Sequence, residues 1–416
     1  MSKPIHNPSG PSPTTGFTLL ELMLAMALSL LFLGLTMTLV QQLGNIVDIV
    51  GSTTDVNENV RAAVGMVSRD LSTAGENIPL GGIPLPYTAG TPSPTPNIKL
   101  PNPAYPAASP WTTWSTFPTP AANAALYWPV ITAGNAQGPT QGSGAKAITT
   151  DIVTLIRVIQ TSSFNQTTVD TTSPNLPTIA SGSATITVSA TAASYVSPGQ
   201  LIMLTDINGS CLLAVSSVNT TTGVITFTHG DATNDPLGVN QFPTLSGSGT
   251  ITSGPTSGTI LQLETATTKN GTTTYAWPTT LTAYSISMVT YYLDTSTPQR
   301  NLTKLVTMGT GACASVSCVQ VVAVGINAMQ ISYSLSPPAT LNGVQADPTR
   351  NPWPTTTDPG NSPNDIRKVV LAMIGETDHQ NHANGQWYSS EIKNAVTIQN
   401  LDYYNKYSLG ASMTSN

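Results

Sequence analysis

Residues Phe17 to Val40 read FTLLELMLAMALSLLFLGLTMTLV, an apolar run in which Glu21 carries the only formal charge. About 20 apolar helical residues cross the hydrocarbon core of a bilayer, so this run predicts a membrane-spanning helix. An ordinary secretory signal has a shorter apolar region followed by a cleavage site of small residues, and no such site follows Val40. The run therefore predicts a single-pass anchor in the inner membrane, with the bulk of the chain outside the cytoplasm.

The carboxylate of Glu21 needs a physical explanation, because it lies five residues into the predicted span. A charge deep in a span costs about 2.5–3.5 kcal/mol on insertion scales, and less near an end. If the chain is cut after Gly16, Phe17 acquires a free α-amine, and Glu21 of a neighbouring subunit can neutralise that amine. The alternative is an uncut signal anchor in which Glu21 lies at the membrane interface.

The segment Gly16-Phe17-Thr18-Leu19-Leu20-Glu21-Leu22 resembles the processing site of prepilins, the precursors of type IV pilins and of type II secretion pseudopilins. The resemblance implies that residues 1–16 form a leader, which a prepilin peptidase removes by cutting after Gly16. It also implies that the peptidase N-methylates Phe17, and that Glu21 helps to dock the subunit into a filament.

The helix is predicted to continue beyond the membrane. No proline occurs from Gln41 to Ala74, and Val60, Val64, Val67 and Leu71 recur at the spacing of one helical face. Gly75 is a natural helix stop. We therefore predict a membrane half of the helix at residues 17–40 and an amphipathic half at residues 41–75, which offers one apolar stripe to a globular domain.

Residues 76–145 are rich in proline, with aromatic side chains among the prolines: Trp111, Trp114, Tyr127 and Trp128. Each proline removes a backbone donor and fixes φ, which is incompatible with a regular helix or a central strand. This segment is predicted to be a long surface loop that its aromatic residues anchor. The alternative is that these aromatic residues form a binding face for a glycan or a partner.

From residue 146 to 416 the pattern is that of a β-rich globular head. Strands are predicted from apolar runs and alternating patterns bounded by turn residues, at residues 151–156, 185–189, 212–218, 224–228, 259–264, 284–293, 319–324, 326–333, 366–374 and 391–400. Residues 219–223 are predicted to form the turn of a hairpin. The fold class is α+β: a long N-terminal helix packed on an antiparallel sheet with large loop and β insertions, an arrangement that the prepilin resemblance makes pilin-like.

Four further segments resemble the PilW-type minor pilins, which form one group within the prepilin family. They are Arg61-Ala62-Ala63 with Ser68-Arg69-Asp70-Leu71-Ser72-Thr73-Ala74-Gly75, then Val324-Gly325-Ile326-Asn327-Ala328-Met329-Gln330-Ile331-Ser332-Tyr333, Asp365-Ile366-Arg367-Lys368-Val369-Val370-Leu371 and Val396-Thr397-Ile398-Gln399-Asn400-Leu401. Gln399 departs from the Arg that usually stands there. These blocks are scattered, and they leave most of residues 80–300 unaccounted for.

The three cysteines fall into two groups. Cys313 and Cys318 enclose the short stretch Ala-Ser-Val-Ser, and in an exported domain they would meet an oxidising compartment. We predict a disulfide between them, with reduced thiols as the alternative. Cys211 stands in an apolar strand and is predicted to be a buried free thiol.

Two local clusters could hold a metal ion. Asp378-His379-Gln380-Asn381-His382 has the ligand types that zinc binds, and Asp231-Ala232-Thr233-Asn234-Asp235 offers oxygen atoms suited to calcium. The first lies in a Gly- and Asn-rich connection and the second fits no EF-hand spacing, so both are interpreted as solvated turns. The sequence has no Gly-x-Ser-x-Gly elbow, P-loop or dinucleotide fingerprint. We therefore expect no catalytic residue, no metal and no cofactor.

Charged residues make up only 8% of the 416 residues, against about 25% in an average domain. The net charge of −6 is spread thinly, and Lys and Arg are not clustered, which argues against a nucleic-acid partner. The resemblance implies a minor pilin that acts in assembly and priming at the tip of a type IV pilus. Its partners would be the prepilin peptidase, other minor and major pilins and the inner-membrane assembly platform.

Two alternatives remain open at this point. A minor pseudopilin of a type II secretion system would have the same N-terminus and the same assembly physics. A pilus-tip adhesin would recognise a surface or a glycan through residues 80–300. In each case the protein would start as an inner-membrane precursor, and as a pilus subunit it would end at the cell surface.

Overall fold

The computed structural model describes the following residues: 16–79, 82–86, 99–101, 111–113, 127–134, 138–141, 147–159, 162–180, 182–235, 237–245, 251–253, 255, 258–269, 272–278, 280–295, 300–307, 319–335, 366–377 and 387–398. The chain divides into two compact units, Met1–Asp55 with His379–Tyr388, and Val56–Asp378 with Ser389–Asn416. One long helix and antiparallel β-sheets make the fold α+β, as the sequence predicts.

The long helix, α1 (Leu19–Ser72), has 54 residues. Leu, Met and Ala dominate its first half, and no proline interrupts it, so side-chain entropy and backbone bonding both favour a helix. A turn over residues 73–77 ends it, and Gly75 takes the left-handed φ of +74° that suits a residue after a helix. This helix begins two residues after and ends three residues before the bounds of the two predicted halves, 17–40 and 41–75.

The strands are short except for those that form the centres of the sheets. In chain order they are β1 (Ile83–Pro84), β2 (Lys99–Pro101), β3 (Trp111–Thr113), β4 (Tyr127–Trp128), β5 (Ile131–Gly134), β6 (Thr140–Gln141), β7 (Ile148–Thr149), β8 (Ile152–Val158), β9 (Thr167–Thr168), β10 (Thr178–Ala180), β11 (Ser183–Thr187), β12 (Leu201–Thr205), β13 (Ser210–Ala214), β14 (Ser217–Asn219), β15 (Val224–Thr228), β16 (Thr244–Leu245), β17 (Ile251–Ser253), β18 (Thr265–Lys269), β19 (Thr272–Ala276), β20 (Thr282–Asp294), β21 (Asn301–Thr307), β22 (Val319–Ala323), β23 (Ile326–Leu335), β24 (Ile366–Glu376) and β25 (Ser389–Thr397). A short helix, α2 (Ala190–Ala193), and a 3-10 helix (Ile260–Leu263) complete the set.

The largest sheet has eight strands and is organised around β20. This 13-residue strand pairs with β8, β9, β12 and β21, all antiparallel. The sheet is extended by β13 beside β12, by β22 beside β21 and by β5 beside β8. Because β20 is nearly continuous in apolar and hydroxyl residues, it can be buried on both faces, as a central strand requires.

The second sheet has three antiparallel strands, in the order β23-β24-β25. Its inner face packs on the last third of α1, where the predicted apolar stripe is confirmed: Val60, Val64, Val67 and Leu71 are all buried. Gly375 lets the helix approach β24 closely, since a Cβ there would lie 2.3 Å from a methyl of Val60. Two side-chain hydrogen bonds also join β25 to the helix. One is between Ser390 and Asn57, and the other is between Asn394 and Ser68.

A third sheet, β10-β11-β15-β14, covers a separate apolar core that includes Ile186, Ile225 and Phe227. Its β14–β15 hairpin confirms the predicted hairpin, and Gly223 has a φ of +73° in the turn. The side chain of Trp128 is fully buried in a further core, which confirms its predicted anchoring role. The side chains of Trp111 and Tyr127, and the whole of Trp114, lie outside the described residues.

Three sequence-based predictions are wrong. The predicted strand 212–218 is divided between β13 of the largest sheet and β14 of the third sheet. The segment 76–145 is not all loop, because β5 lies buried in the largest sheet beside β8. Residues 259–264 are not a strand but a turn of 3-10 helix, in which Ile260 and Leu263 both reach the core. A spacing of three places both side chains on one face of a 3-10 helix, and a short apolar run does not distinguish this from a strand.

Candidate functional site

The start of α1 is held by a reciprocal set of hydrogen bonds between Thr18 and Glu21. The backbone N–H and the hydroxyl of Thr18 each donate to Glu21 Oε2 at 3.0 Å, and the Glu21 N–H donates to Thr18 Oγ1 at 3.3 Å. This is a capping box, with Thr18 before the first helical residue and the glutamate three positions later. The Glu21 carboxylate is therefore hydrogen-bonded within its own chain.

The bond between Gly16 and Phe17 precedes this cap directly. The side chain of Phe17 is 82% exposed, and an added Cβ at Gly16 would have no atom within 4 Å. Within the described residues, nothing packs against the Gly16–Phe17 bond, which lies within one helical turn of the Glu21 carboxylate.

The apolar part of α1 that follows is exposed along its whole length. An 18-residue window of it has a mean hydropathy of 2.2, and none of that window is buried. For example, Leu31, Phe32 and Leu33 are each more than half exposed to solvent. One N-terminal helix is thus long and apolar enough to span a membrane, which is consistent with the predicted anchor.

The other end of α1 is joined to the largest sheet by a buried polar cluster. Tyr291 Oη, on β20, donates a 2.6 Å hydrogen bond to Asp70 Oδ2 near the end of the helix. Arg157, on β8, forms an ion pair with Asp70 at 3.4 Å and donates to the hydroxyl of Thr73. Burial, with the bond to Asp70, raises the pKa of Tyr291, so this phenol remains a neutral donor.

Two further sets of polar contacts join the eight-stranded sheet to the three-stranded sheet. The N–H of Ile331 donates to Asp151 Oδ2 at 2.6 Å, which ties the start of β8 to β23. Arg300, before β21, donates to Glu376 Oε2 at 2.8 Å and to the side chain of Asn327. These bonds position the sheets around the end of α1, and sequence reasoning missed all of them.

The segment 231–235, whose oxygen atoms could suit calcium, forms turns that hydrogen bonds to Asp231 and Asp235 stabilise. Asp231 accepts from the backbone and the side chain of Asn234, and Asp235 accepts from the backbone N–H groups of Val239 at 2.9 Å and Asn240 at 2.8 Å. Burial raises the pKa of Asp235 to about 6, against the opposing effect of these bonds. Across the described part of the chain, no group of three or more His, Cys, Asp or Glu side chains is placed to hold a metal ion.

Of the remaining candidates from the sequence, one lies within the described residues and two lie outside them. Cys211 is a free, fully buried thiol in β13, as predicted, and burial raises its pKa. The predicted disulfide between Cys313 and Cys318 and the cluster Asp378–His382 lie outside the described residues.

Comparisons with known protein families, with curated proteins and with solved structures find no match to this chain. The start of α1 is the one place in the described part of the chain where an exposed peptide bond, a capped carboxylate and an apolar span occur together. It is therefore the candidate functional site of this chain.

Proposed function

We propose that this chain is a prepilin-type subunit, specifically a PilW-like minor pilin of a type IV pilus. The single observation that carries the proposal is the exposed Gly16–Phe17 bond, placed directly before a capped helix whose apolar half is unburied. Under this proposal a prepilin peptidase hydrolyses the bond after Gly16 and methylates the amine of Phe17. The fold is then pilin-like: one helix that anchors and assembles, and a β-rich head.

The capping box suggests how Glu21 is stabilised before and after assembly. In the single subunit the carboxylate accepts two hydrogen bonds from Thr18, which lowers the cost of holding it near the membrane interface. In a filament the cationic amine of a neighbour's Phe17 is a stronger partner, because its positive charge attracts the carboxylate in addition to donating a hydrogen bond. When the Glu21 carboxylate exchanges its Thr18 donors for the Phe17 amine of a neighbour, docking of a processed subunit is favoured over docking of an unprocessed one.

The assignment to assembly rather than catalysis has a second support. Within the described residues the buried carboxylates serve structural contacts, such as Asp70 with Tyr291 and Asp151 with Ile331. The remaining partners of the proposed subunit are the inner-membrane assembly platform and the other minor and major pilins. Its role is to prime polymerisation from the tip of the filament.

The direct test is mass spectrometry of the N-terminal peptide, from membranes and from sheared surface filaments. We expect an N-methylated Phe17 terminus in cells with an active prepilin peptidase, and its presence in the sheared filaments favours a pilus over a periplasmic pseudopilus. A Gly16→Val variant should retain residues 1–16, whereas the matched Gly10→Val variant should be cut normally. A wild-type chain that keeps its leader in the presence of the peptidase would overturn the proposal.

A further inference from the structure

The sequence contains five Asn-x-Ser/Thr triplets, the acceptor pattern for N-linked glycans in exported proteins. They begin at Asn165, Asn208, Asn219, Asn270 and Asn301. A transferase has to contact both the asparagine amide and the hydroxyl residue two positions later, so burial of either one blocks the acceptor in a folded protein. Asn270 lies outside the described residues, which leaves four triplets to compare.

Three of these four triplets are obstructed in the fold. Asn301 is only 8% exposed within β21, and the Oδ1 atom of Asn165 is buried. In the third triplet the hydroxyl residue, Ser210, is 2% exposed, and Asn208 Nδ2 donates to the backbone oxygen of Leu263 at 3.1 Å. Each of the three therefore has a part that the folded head withdraws from a transferase.

The fourth triplet, Asn219-Thr220-Thr221, is exposed at all three positions. It starts at the last residue of β14 and continues into the turn of the β14–β15 hairpin, where Asn219 pairs with Val224. The side-chain hydrogen bonds of Asn219 within the described residues both use its Oδ1 atom, so its Nδ2 hydrogens have no acceptor there. The amide nitrogen and the hydroxyl residue are thus accessible together at the tip of a folded hairpin.

The hairpin turn also fixes the side chain of Asn219. Its Oδ1 accepts hydrogen bonds from the backbone N–H groups of Thr221 and Thr222, each at 3.1 Å. Hydrogen bonds to an atom that gains negative charge favour the charged form. The two bonds at Oδ1 therefore assist the loss of an Nδ2 proton, because the amide oxygen takes up the charge that the departing proton leaves behind.

We infer that Asn219 is an N-glycosylation site whose substrate is a glycan carried on a polyprenyl diphosphate. Asn219 Nδ2 attacks the anomeric carbon of the glycan, and the new carbon–nitrogen bond replaces the bond from that carbon to the diphosphate oxygen. Polyprenyl diphosphate leaves with the electron pair, and one Nδ2 proton passes to a base of the transferase. The reaction requires a head outside the cytoplasm, so it rests on the export part of the proposed function and not on cleavage at Gly16.

The position of Asn219 gives the glycan a role. Among the described strands β14 pairs only with β15, so it is an end strand of the third sheet. Its residues, Ser217, Val218 and Asn219, carry no charge. An uncharged edge strand is a template for pairing with strands of other chains, and a bulky hydrophilic glycan at its end shields it. The modification therefore opposes association of heads through β14.

The test is mass analysis of peptides that contain residue 219, from the full chain purified from membranes of the cells that naturally produce it. We expect the added mass of a glycan on Asn219, with Asn165, Asn208 and Asn301 unmodified. An unmodified Asn219, or a glycan confined to other asparagines, would overturn the inference. The Gly16→Val variant should carry the same glycan, so a failure of N-terminal cleavage and a failure of glycosylation are distinguishable.

Three variants of the turn test the acceptor pattern itself. Thr221→Val removes the hydroxyl while keeping a branched side chain, and it should abolish the glycan on Asn219, whereas Thr221→Ser should retain it. Thr220→Val is the matched control, since the pattern excludes only proline at the middle position. Both positions are exposed, so the unfolding free energy should stay within about 0.5 kcal/mol of wild type. A glycan that persists in Thr221→Val, or is lost in Thr220→Val, would contradict recognition of this triplet.

Discussion

Tyr291 Oη lies 2.6 Å from Asp70 Oδ2 and connects the centre of the largest sheet to the last turn of α1. The two residues are 221 positions apart, and both are buried. Their bond therefore closes a very long loop of the chain at the place where the helix enters the head. Loss of either partner would leave a buried polar group without this bond, so the stability of the head should depend on both residues.

We expect Tyr291→Phe to destabilise the head by about 1–3 kcal/mol, because it removes a hydrogen bond to a buried carboxylate. The measurement is urea unfolding of the detergent-solubilised chain. Tyr195→Phe is the matched control, since Tyr195 is half-exposed, and it should change the unfolding free energy by no more than about 0.5 kcal/mol. Equal effects of the two variants would contradict the prediction.

Gly375→Val should separate α1 from β24. Its Cβ would lie 2.3 Å from Val60 Cγ2 and 2.9 Å from Val56 Cγ1, both of them buried, and overpacking of this kind costs about 1–3 kcal/mol. Gly65→Ala is the control in the solubilised monomer, where open space surrounds the added methyl and the helix should gain about 1 kcal/mol. Loss of protection from hydrogen exchange in residues 56–72 of Gly375→Val is the diagnostic result.

The pH dependence of folding should contain a component from Asp235. Its pKa is raised from 3.8 in the unfolded chain to about 6 in the fold, so the folded state binds this proton more tightly. The resulting stabilisation is complete below about pH 4 and is lost as the pH rises through 6. The difference in unfolding free energy between wild type and Asp235→Asn should thus change by on the order of 2–3 kcal/mol between pH 4 and pH 7.

Other carboxyl groups do not obscure that comparison. Burial raises the pKa of Asp231, but hydrogen bonds from Asn234 and its neighbours outweigh this and lower it, so Asp231 contributes to stability in the opposite direction in both proteins. The charge of Asp231 is the smallest of the causes that act on Asp235, so this contribution nearly cancels in the difference. An Asn side chain at position 235 can still accept one of the two backbone hydrogen bonds. The unfolding free energies of the two proteins should therefore differ by a constant offset, in addition to their different dependence on pH. If the unfolding free energies of the two proteins, plotted against pH, stay parallel from pH 4 to pH 7, then Asp235 does not titrate as described.

Glu21→Gln should separate processing from assembly in the proposed subunit. The Gly16–Phe17 bond is unchanged, so cleavage should proceed as in wild type. The neutral amide cannot neutralise the Phe17 amine of a neighbour, and we expect at least a tenfold loss of the chain from sheared filaments, with the processed form retained in membranes. Thr36→Ala, a change in the middle of the exposed helix, is the control and should assemble normally. Normal assembly of Glu21→Gln would exclude the proposed charge pairing.

Local patterns predict the helix and much of the β-structure. The valines of α1 recur at helical spacing, and the hairpin around Gly223 has its turn residues in sequence, so each signal is contained in a few adjacent residues. The 3-10 helix at Ile260 is mistaken for a strand because four apolar-rich residues carry too little periodicity to separate the two states.

The polar contacts could not be predicted in the same way. The pairing of Asp70 with Tyr291, and of Asp151 with Ile331, depends on which strands are neighbours in the folded sheet, and 180 or more residues separate the members of each pair. The position of Asp70 beside the apolar stripe of α1 is the only local signal that its carboxylate enters the core. At the candidate site the capping box also has a local signal, because Thr18 and Glu21 stand at the spacing of its sequence signature, directly before an apolar run.

The burial of Cys211 has a consequence for the order of events during maturation. Its strand, β13, closes on β12 through a turn of four residues, and such local hairpins form within about 10 μs, whereas disulfides form over seconds to hours. The hairpin that carries the thiol can therefore form before an oxidant acts on it, and in the folded core burial raises the pKa of the thiol, which disfavours the reactive thiolate. In a chain exported as proposed, this burial protects Cys211 from mispairing with either of the other two cysteines.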